Sequence, residues 1–421
     1  MKNRILILTL SIFTLFACSK DDANLSLQKG DLQKNSNNLK KSKKNKIDIC
    51  HYDVDEDRWF IININENAWS GHKLHGDIRL DDQDNDGFVP NNQCGYGQQG
   101  DCDDNNVDIN PNADRMDIGR ALLEVQAMNV AEILPYYTDD IEYHDPIVDI
   151  YGIEDMTAFL NQLIIGASPN LVTTVEDETF IDNIYSATWT MSGDFLGIPY
   201  MAKGISIFKF LPDCSKVYYQ RDYYSEGDIM ATIPGLDEAI NGFRTYYKCS
   251  VDPIFDCPFV LPGANPDFSS PNFQNQIIDD QLTVGRQLVE INASNWTNVL
   301  SYLTTDYEYH DPIVDIYGPA TMAEFLGRLF AGSSSLYTVV EDETIVNDIY
   351  MATWTMSGSF NGAPFSAPGM SIVKFVPGTT QTFYSRDYYT EGDVMLGVPE
   401  LASAVEGFRH YYRLAVDPNY P

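Results

Sequence analysis

Positive charge is scarce in this 421-residue chain: 27 Lys and Arg stand against 61 Asp and Glu, for a formal net charge of −34. The few basic residues are also unevenly placed. Residues 1–46 hold ten of them against three Asp, which leaves −41 on residues 47–421. A folded part so acidic repels nucleic acid and favours cations or neutral ligands, so nucleic-acid binding is excluded. Cysteine is the second shortage: there are seven, and none lies beyond Cys257, which removes thiol chemistry from residues 258–421. Histidine is the third, with six in all and half of them between residues 51 and 75. The remaining composition, 44% apolar and 12% aromatic, is ordinary for globular protein with sizeable cores.

What the chain has in plenty is internal copying. YHDPIVDIYG occupies residues 143–152 and again 309–318, identical at all ten positions. VEDET recurs at 175 and 340, ATWTMSG at 187 and 352, RDYY at 221 and 386, EGD at 226 and 391, GFR at 242 and 407, and VDP at 251 and 416. The offset is 166 at the first motif and 165 afterwards, so the second copy has one residue fewer between Gly318 and Val340. A period this long is far above that of solenoid units, and each copy is expected to be a complete globular domain. Thr379 and Leu414 stand where the first copy has Cys214 and Cys249, so no thiol serves a chemistry common to both.

Lys2 and Arg4 precede an apolar run over residues 5–17 and then Cys18, the charged and hydrophobic regions of an export signal. Leu15-Phe16-Ala17-Cys18 resembles the lipobox of bacterial lipoproteins, and Ser19-Lys20-Asp21-Asp22 is similar to the acidic tag that sends lipoproteins of the Bacteroidota to the cell surface. The resemblance implies cleavage of residues 1–17, lipid on Cys18, and an outer-membrane or cell-surface location. Residues 18–46, poor in apolar side chains, are expected to be a flexible tether.

Residues 47–113 are expected to be a small acidic metal-binding module. Cys50, His51, His72 and His75 are a candidate zinc set, since thiolate and imidazole both suit that ion; a hydrogen-bonded structural cluster is the alternative. Asp82, Asp84 and Asp86, two apart and followed by Gly87, let a tight loop wrap a hard cation. No glutamate follows at the EF-hand spacing, because position 93 is Gln. The stretch resembles the metal-binding motif of MopE-type proteins and the calcium loops of thrombospondin type three repeats, which implies that Asp101, Asp103 and Asp104 complete a calcium shell. Six cysteines remain once Cys18 is set aside, an even number for an exported chain. Cys94 and Cys102 bracket the acidic loop and are expected to pair, while Cys50, Cys214, Cys249 and Cys257 allow three pairings, Cys249 with Cys257 being the local one.

Residues 114–250 and 278–421, joined by a linker over 251–277, begin with helical spacing at Ile118, Leu122, Val125 and Met128 and at Leu282, Leu288, Val289 and Ile291. A further helix is expected over 154–165 and 320–330, and strands over the rest, with Trp189 and Met191 on one face of 185–191 and threonines on the other. Helices followed by strands give an α+β class. The helix pair, the HDP before YG, the WTMSG strand and the closing RDYY strand resemble the SnoaL-like polyketide cyclases and the wider nuclear-transport-factor-two-like superfamily. The resemblance implies two tandem cones, each of three helices on a curved antiparallel sheet enclosing an apolar pocket. That family includes isomerases, cyclases, epoxide hydrolases and binding domains, so fold alone leaves function open.

Positions matching the family's acid–base groups are His144, Asp145 and Asp222 in the first copy and His310, Asp311 and Asp387 in the second. Neighbours on a strand face opposite ways, so at most one of each His-Asp pair points inward unless the following proline twists the chain. His144 with Asp222 and Arg221 with Asp145 are the competing dyads. Trp189, Arg221, Tyr223, Trp354, Arg386 and Tyr388 are candidate ligand contacts. The reading is a lipid-anchored surface protein binding a small, largely apolar molecule; the alternatives are a cyclase or isomerase with a pocket His or Asp as base, and a structural or adhesion protein. The two copies are expected to pack as an intrachain pseudo-dimer through the threonine faces of their sheets, Thr188 and Thr190 against Thr353 and Thr355.

Overall fold

A computed structural model describes residues 46–258, 280–333, 335–360 and 362–420. The export signal, Cys18 and nearly all of the tether, together with most of the linker, lie outside the described residues. Among those described, no helix is long and apolar enough to cross a membrane.

The module opens with a hairpin of β1 (Lys46–Asp53) and β2 (Arg58–Asn65). A short helix α1 (Trp69–Leu74) leads to β3 (Ile78–Arg79) on the other edge of β1, and the small parallel pair β4 (Val89–Pro90) and β5 (Gln99–Asp101) comes next. The expected Cys94–Cys102 pairing is not formed. Cys50, buried on β1, takes Cys94; Cys102, just past β5, faces the first repeat and bonds Cys214; Cys249 takes Cys257. Bracketing a loop in sequence did not bring its two ends together, because the module's central strand and the neighbouring domain approach more closely.

The first repeat runs α2 (Arg115–Leu123), α3 (Val130–Ile133), β6 (Tyr137–His144), β7 (Asp149–Tyr151), α4 (Ile153–Leu160), β8 (Val172–Ile181), β9 (Ile184–Phe195), β10 (Ile198–Phe210), β11 (Val217–Tyr224), α5 (Glu226–Met230) and α6 (Asp237–Val251). The second runs α7 (Gln281–Val289), α8 (Trp296–Val299), β12 (Leu303–His310), β13 (Asp315–Tyr317), α9 (Pro319–Gly332), β14 (Tyr337–Val346), β15 (Ile349–Phe360), β16 (Ala363–Phe375), β17 (Thr382–Tyr389), α10 (Glu391–Met395) and α11 (Pro399–Val416). Each is an α+β cone on a six-stranded sheet of order β7-β6-β11-β10-β9-β8, or β13-β12-β17-β16-β15-β14. The sheets are mixed rather than wholly antiparallel, since β6 runs parallel to β11 and β12 to β17. The first helix of each is started by an aspartate, Asp114 or Asp280, whose side chain accepts from backbone N–H groups of the opening turn.

The extra residue of the first repeat has a definite place. After α4 the chain continues through Asn161–Ala167 with π-helical bonding, whereas α9 of the second repeat is α-helical throughout. Ser168 and Ser333, at the two helix ends, then have nearly the same backbone angles. A π turn absorbs one added residue without shifting the segment after it.

The outer faces of the two sheets pack on each other. Their shared core is Ile205, Ile207 and Tyr223 against Met351, Met370, Ile372 and Tyr388, bordered by Lys209–Asp342 at 3.4 Å and Lys374–Asp177 at 2.6 Å. Thr188 and Thr353 are buried, but Thr190 and Thr355 turn to Glu176 and Glu341, so the centre of this face is apolar rather than threonine-lined.

Where strand is expected after the third helix, the chain also forms α6 and α11; Ile240, Phe243, Tyr247 and Val251 keep helical spacing and are all buried. These helices are exchanged. The first repeat's α6 packs on α9 of the second, and α11 of the second packs on the π-helical segment of the first. Tyr412 stacks on Phe195 with ring centres 5.1 Å apart, and Arg413 Nε donates to the Ile147 carbonyl at 2.7 Å. The motifs EGD and GFR build the lock. Arg409 Nε donates to Glu226 at 3.0 Å and Arg244 Nε to Glu391 at 2.9 Å; Ser225 and Thr390 hydroxyls donate to Glu391 and Glu226. Both glutamates are fully buried. A Cβ on Gly392 would stand 1.5 Å from Glu226 Oε1, so only glycine admits the opposing carboxylate.

Candidate functional site

Each cone encloses a cavity, about 80 Å³ in the first repeat and about 110 Å³ in the second. Leu122, Met156, Phe159, Leu160 and Met191 give the first its apolar wall; Leu288, Met322, Phe325, Leu326 and Met356 give the second the same. The polar groups gather at the base. On β11 the alternation turns Gln220, Asp222 and Tyr224 inward and Tyr219, Arg221 and Tyr223 outward; on β6 it turns Tyr143 inward and His144 outward, with Asp145 just beyond the strand end lining the cavity.

Two carboxyls therefore meet inside each cone. Tyr143 Oη donates to Asp222 Oδ2 at 3.0 Å and lies 3.3 Å from Asp145 Oδ2. Asp222 Oδ1 also accepts from Ser206 Oγ at 2.6 Å and Gln220 Nε2 at 3.2 Å, and Ser206 is held by Trp189 Nε1 at 2.8 Å. Asp145 Oδ1 takes the Ile147 and Val148 N–H groups at 2.6 and 2.7 Å, and Tyr224 Oη donates to its Oδ2 at 3.3 Å. In the second cone Tyr309 donates to Asp387 at 2.9 Å, Ser371 to Asp387 at 2.6 Å, Trp354 to Ser371 at 2.7 Å, and Tyr389 to Asp311 at 3.4 Å. Ser385 stands where the first cone has Gln220. Gly204 and Gly369 lie under the two indole rings, where a Cβ would come within 2.3 Å of Trp189 and 2.2 Å of Trp354.

Burial pushes Asp145 and Asp311 up to about 7, against the backbone N–H groups that favour their charged forms. Asp222 and Asp387 are raised by burial too, opposed by their serine and tyrosine donors. Tyr143, Tyr224, Tyr309 and Tyr389 are held well above the ordinary phenol range by burial and the nearby carboxyls. The arrangement can hold a proton between two carboxyls near neutral pH and present it, or the vacant carboxylate, to a molecule in the cavity.

Several expected contacts lie elsewhere. His144 and His310 sit on the outer side, each with Nδ1 at 2.5 Å from Asp149 or Asp315 and each ring beside Tyr219 or Tyr384. Neither expected dyad forms, because alternation separates His144 from Asp222 and Arg221 from Asp145. Arg221, Tyr223, Arg386 and Tyr388 belong to the outer face, each guanidinium about 5.1 Å from its tyrosine ring, with both tyrosines in the core between the sheets. Trp189 and Trp354 do line the cavities. The inward tyrosines Tyr143, Tyr224, Tyr309 and Tyr389 were missed, though two-residue spacing from Asp145, Asp222, Asp311 and Asp387 marks them.

In the module, Cys50 is spent on a disulfide and His75 is exposed outside the histidine cluster. His51 and His72 instead turn Nδ1 to Asp77 Oδ2, at 2.8 and 2.7 Å. Burial alone would raise Asp77, but the imidazoles and the Tyr52 N–H outweigh it and hold the carboxyl below its usual range. Asp82, Asp84 and Asp86 bring one oxygen each within 4.8 Å of one another. Buried oxygens of Asp84, Asp86 and Asp101 have no hydrogen-bond partner, a donor set that fits a hard cation. Asp103 is drawn away to Lys216 at 3.1 Å, and Asp104 accepts from the Gln83 N–H at 3.0 Å.

No curated protein sequence matches the chain. Among solved structures, a protein of ketosteroid-isomerase-like fold from Catenulispora acidiphila, in complex with trimethylamine, is 16% identical over 28% of this chain and 92% of its own, with a TM-score of 0.26. An LEH-like epoxide hydrolase from Mycobacterium tuberculosis is 14% identical over 30% and 96%, TM-score 0.26. A protein described as a SnoaL-like polyketide cyclase from Jannaschia sp. is 15% identical over 29% and 92%, TM-score 0.24. The family model of the SnoaL-like domain matches residues 120–222 and again 284–379, and the chain thus carries two SnoaL-like domains in tandem.

Proposed function

We propose that the chain is a lipid-anchored surface protein whose two cones each bind a small, largely apolar molecule bearing one polar group. The observation that carries this reading is the repeated combination of an apolar cavity with a carboxyl–tyrosine–carboxyl base, Asp145, Tyr143 and Asp222 in one cone and Asp311, Tyr309 and Asp387 in the other. An apolar wall supplies affinity, and few convergent polar groups orient the ligand. Mass-spectrometric survey of small molecules that copurify with the chain is the test: compounds retained by the wild type and lost with Trp189→Ala and Trp354→Ala support it, and empty cones return the structural reading.

A second reading, a cyclase or isomerase, is favoured by the carboxyls of Asp145 and Asp311, which burial pushes up to about 7, where a general base works best. It is separated from pure binding by Asp145→Asn and Asp311→Asn, which abolish turnover of a retained compound while keeping its affinity. The anchor is assigned to Cys18, and the module is assigned a structural calcium ion held by Asp82, Asp84, Asp86 and Asp101. That ion would neutralise carboxylates which otherwise repel one another.

A further inference from the structure

The two cavities share most of their lining, down to the tyrosine that each takes from the opposite repeat, Tyr412 in the first and Tyr247 in the second. They part beside the aspartate of the last strand. In the first cone Gln220 fills the space next to Asp222: its Nε2 donates to Asp222 Oδ1 at 3.2 Å, and its Oε1 accepts from Tyr137 Oη at 2.7 Å. Gln220 and Tyr137 are both buried, so the donor and acceptor ends of this amide are engaged by the protein itself. The second cone has neither residue. Ser385 stands for Gln220 and Leu303 for Tyr137. Val373 for Phe208 thins the wall further, Tyr307 for Ile141 offsets part of the loss, and the cavity is the larger, about 110 Å³ against about 80 Å³. Ser371 lines it, whereas its counterpart Ser206 does not line the first.

The exchange leaves two polar groups short. Asp387 keeps its Ser371 and Tyr309 donors but has none where Gln220 Nε2 stands in the first cone. Ser385 Oγ is buried without a hydrogen-bond partner, the Tyr307 hydroxyl lying near it outside bonding geometry. A buried hydroxyl left unpaired is costly, and the group that relieves it here must accept from Ser385 while donating to Asp387. Those are the two functions that the Gln220 amide combines in the first cone. We infer that Gln220 and Ser385 are specificity-determining residues: Gln220 closes the first cone with an amide of the protein's own, and Ser385 opens the second to an apolar molecule ending in a neutral donor–acceptor group, a primary carboxamide or an alcohol. A carboxylate of the same shape would meet Asp311 and Asp387 and is rejected. The inference rests on the reading that the cones bind small molecules, and adds that the two cones take different ones.

The full chain is titrated with 4-fluorobenzamide and with 4-fluorotoluene, binding being followed by ¹⁹F NMR. The wild type is expected to hold the benzamide in the second cone, roughly tenfold more tightly than the toluene, which lacks the donor and the acceptor. Ser385→Gln is expected to weaken the benzamide by roughly tenfold or more, because the protein's own amide then lies where the probe's would. Val373→Phe restores the ring that the first cone has at that place; it is expected to act in the same direction, and serves if Ser385→Gln fails to fold. Gln220→Ser combined with Tyr137→Leu is expected to open a further benzamide site in the first cone. Equal affinity of the two cones in the wild type, or a benzamide affinity unmoved by both Ser385→Gln and Val373→Phe, overturns the assignment of the two residues. Toluene bound as tightly as benzamide overturns the ligand class. If neither probe binds, the inference falls, and the ligand reading is decided separately by the compounds that copurify with the chain.

Discussion

Glu226 of the first repeat and Arg409 of the second form a buried ion pair, with Arg409 Nε 3.0 Å from each carboxylate oxygen and Nη2 2.6 Å from Oε1. Glu391 and Arg244 repeat it in the opposite sense, and Asp393 and Asp228 hold the outer edges of the two guanidiniums at 2.8 and 2.7 Å. Removing one member strands a buried charge, which costs about 3–5 kcal/mol. Arg409→Ala and Arg244→Ala should each lower stability by that order in urea unfolding of the full chain. A loss below about 1 kcal/mol would mean that the lock does not hold the repeats together.

The inner carboxyls make stability depend on pH. Asp145 and Asp311 rise from 3.8 unfolded to about 7 folded, so the folded chain keeps protons there that the unfolded chain has released. Their contribution is full below about pH 4 and is lost as pH rises through about 7. Chains carrying Asp145→Asn with Asp311→Asn should melt at a higher temperature than wild type at pH 8, and the difference should close towards pH 4. Parallel melting curves across that range in scanning calorimetry would contradict the raised carboxyls.

Calcium should stabilise the module and, through Cys102–Cys214, be felt by the first repeat. At a hundredfold excess over its dissociation constant a ligand adds about 2.7 kcal/mol. The melting temperature should therefore fall in EDTA and recover in millimolar calcium, and Asp101→Asn should blunt the response more than Asp103→Asn, because Asp103 turns to Lys216. Equal melting with and without calcium would remove the ion from the account.

Cys18→Ser should move the chain from the membrane fraction to the soluble fraction, since on the proposed anchoring a lipid on Cys18 would supply the affinity and no described helix is long and apolar enough to cross a membrane. Unchanged sedimentation with membranes would overturn the lipobox assignment.

Local pattern carried much of the cone. The copied segments marked two domains, and alternation correctly allowed only one of His144 and Asp145 inside. Alternation does not say which side is inside, however, and the RDYY strand illustrates the limit: by pattern Arg221 and Tyr223 are as eligible as Asp222 and Tyr224, and what decides is that one face of β11 lines the cavity while the other is covered by the second repeat's sheet. Pairings between distant segments escaped altogether. Nothing near Cys94 announces Cys50, and EGD and GFR were visible as copies without any sign that each copy grips the other's partner. Tyr412 was hardest to find, because its site lies in a different repeat from its sequence.

The exchange of α6 and α11 reverses the ordinary expectation for damage to the last helix of a domain. A cut at Val398 with loss of α11 removes Tyr412 and Arg409, and so breaches the first repeat's cavity and leaves its Glu226 with the Thr390 hydroxyl but without the Arg409 guanidinium. The second repeat, which loses its own helix, retains Tyr247 and the Arg244–Glu391 pair from upstream. Nicking the tail of the second domain thus disarms the first.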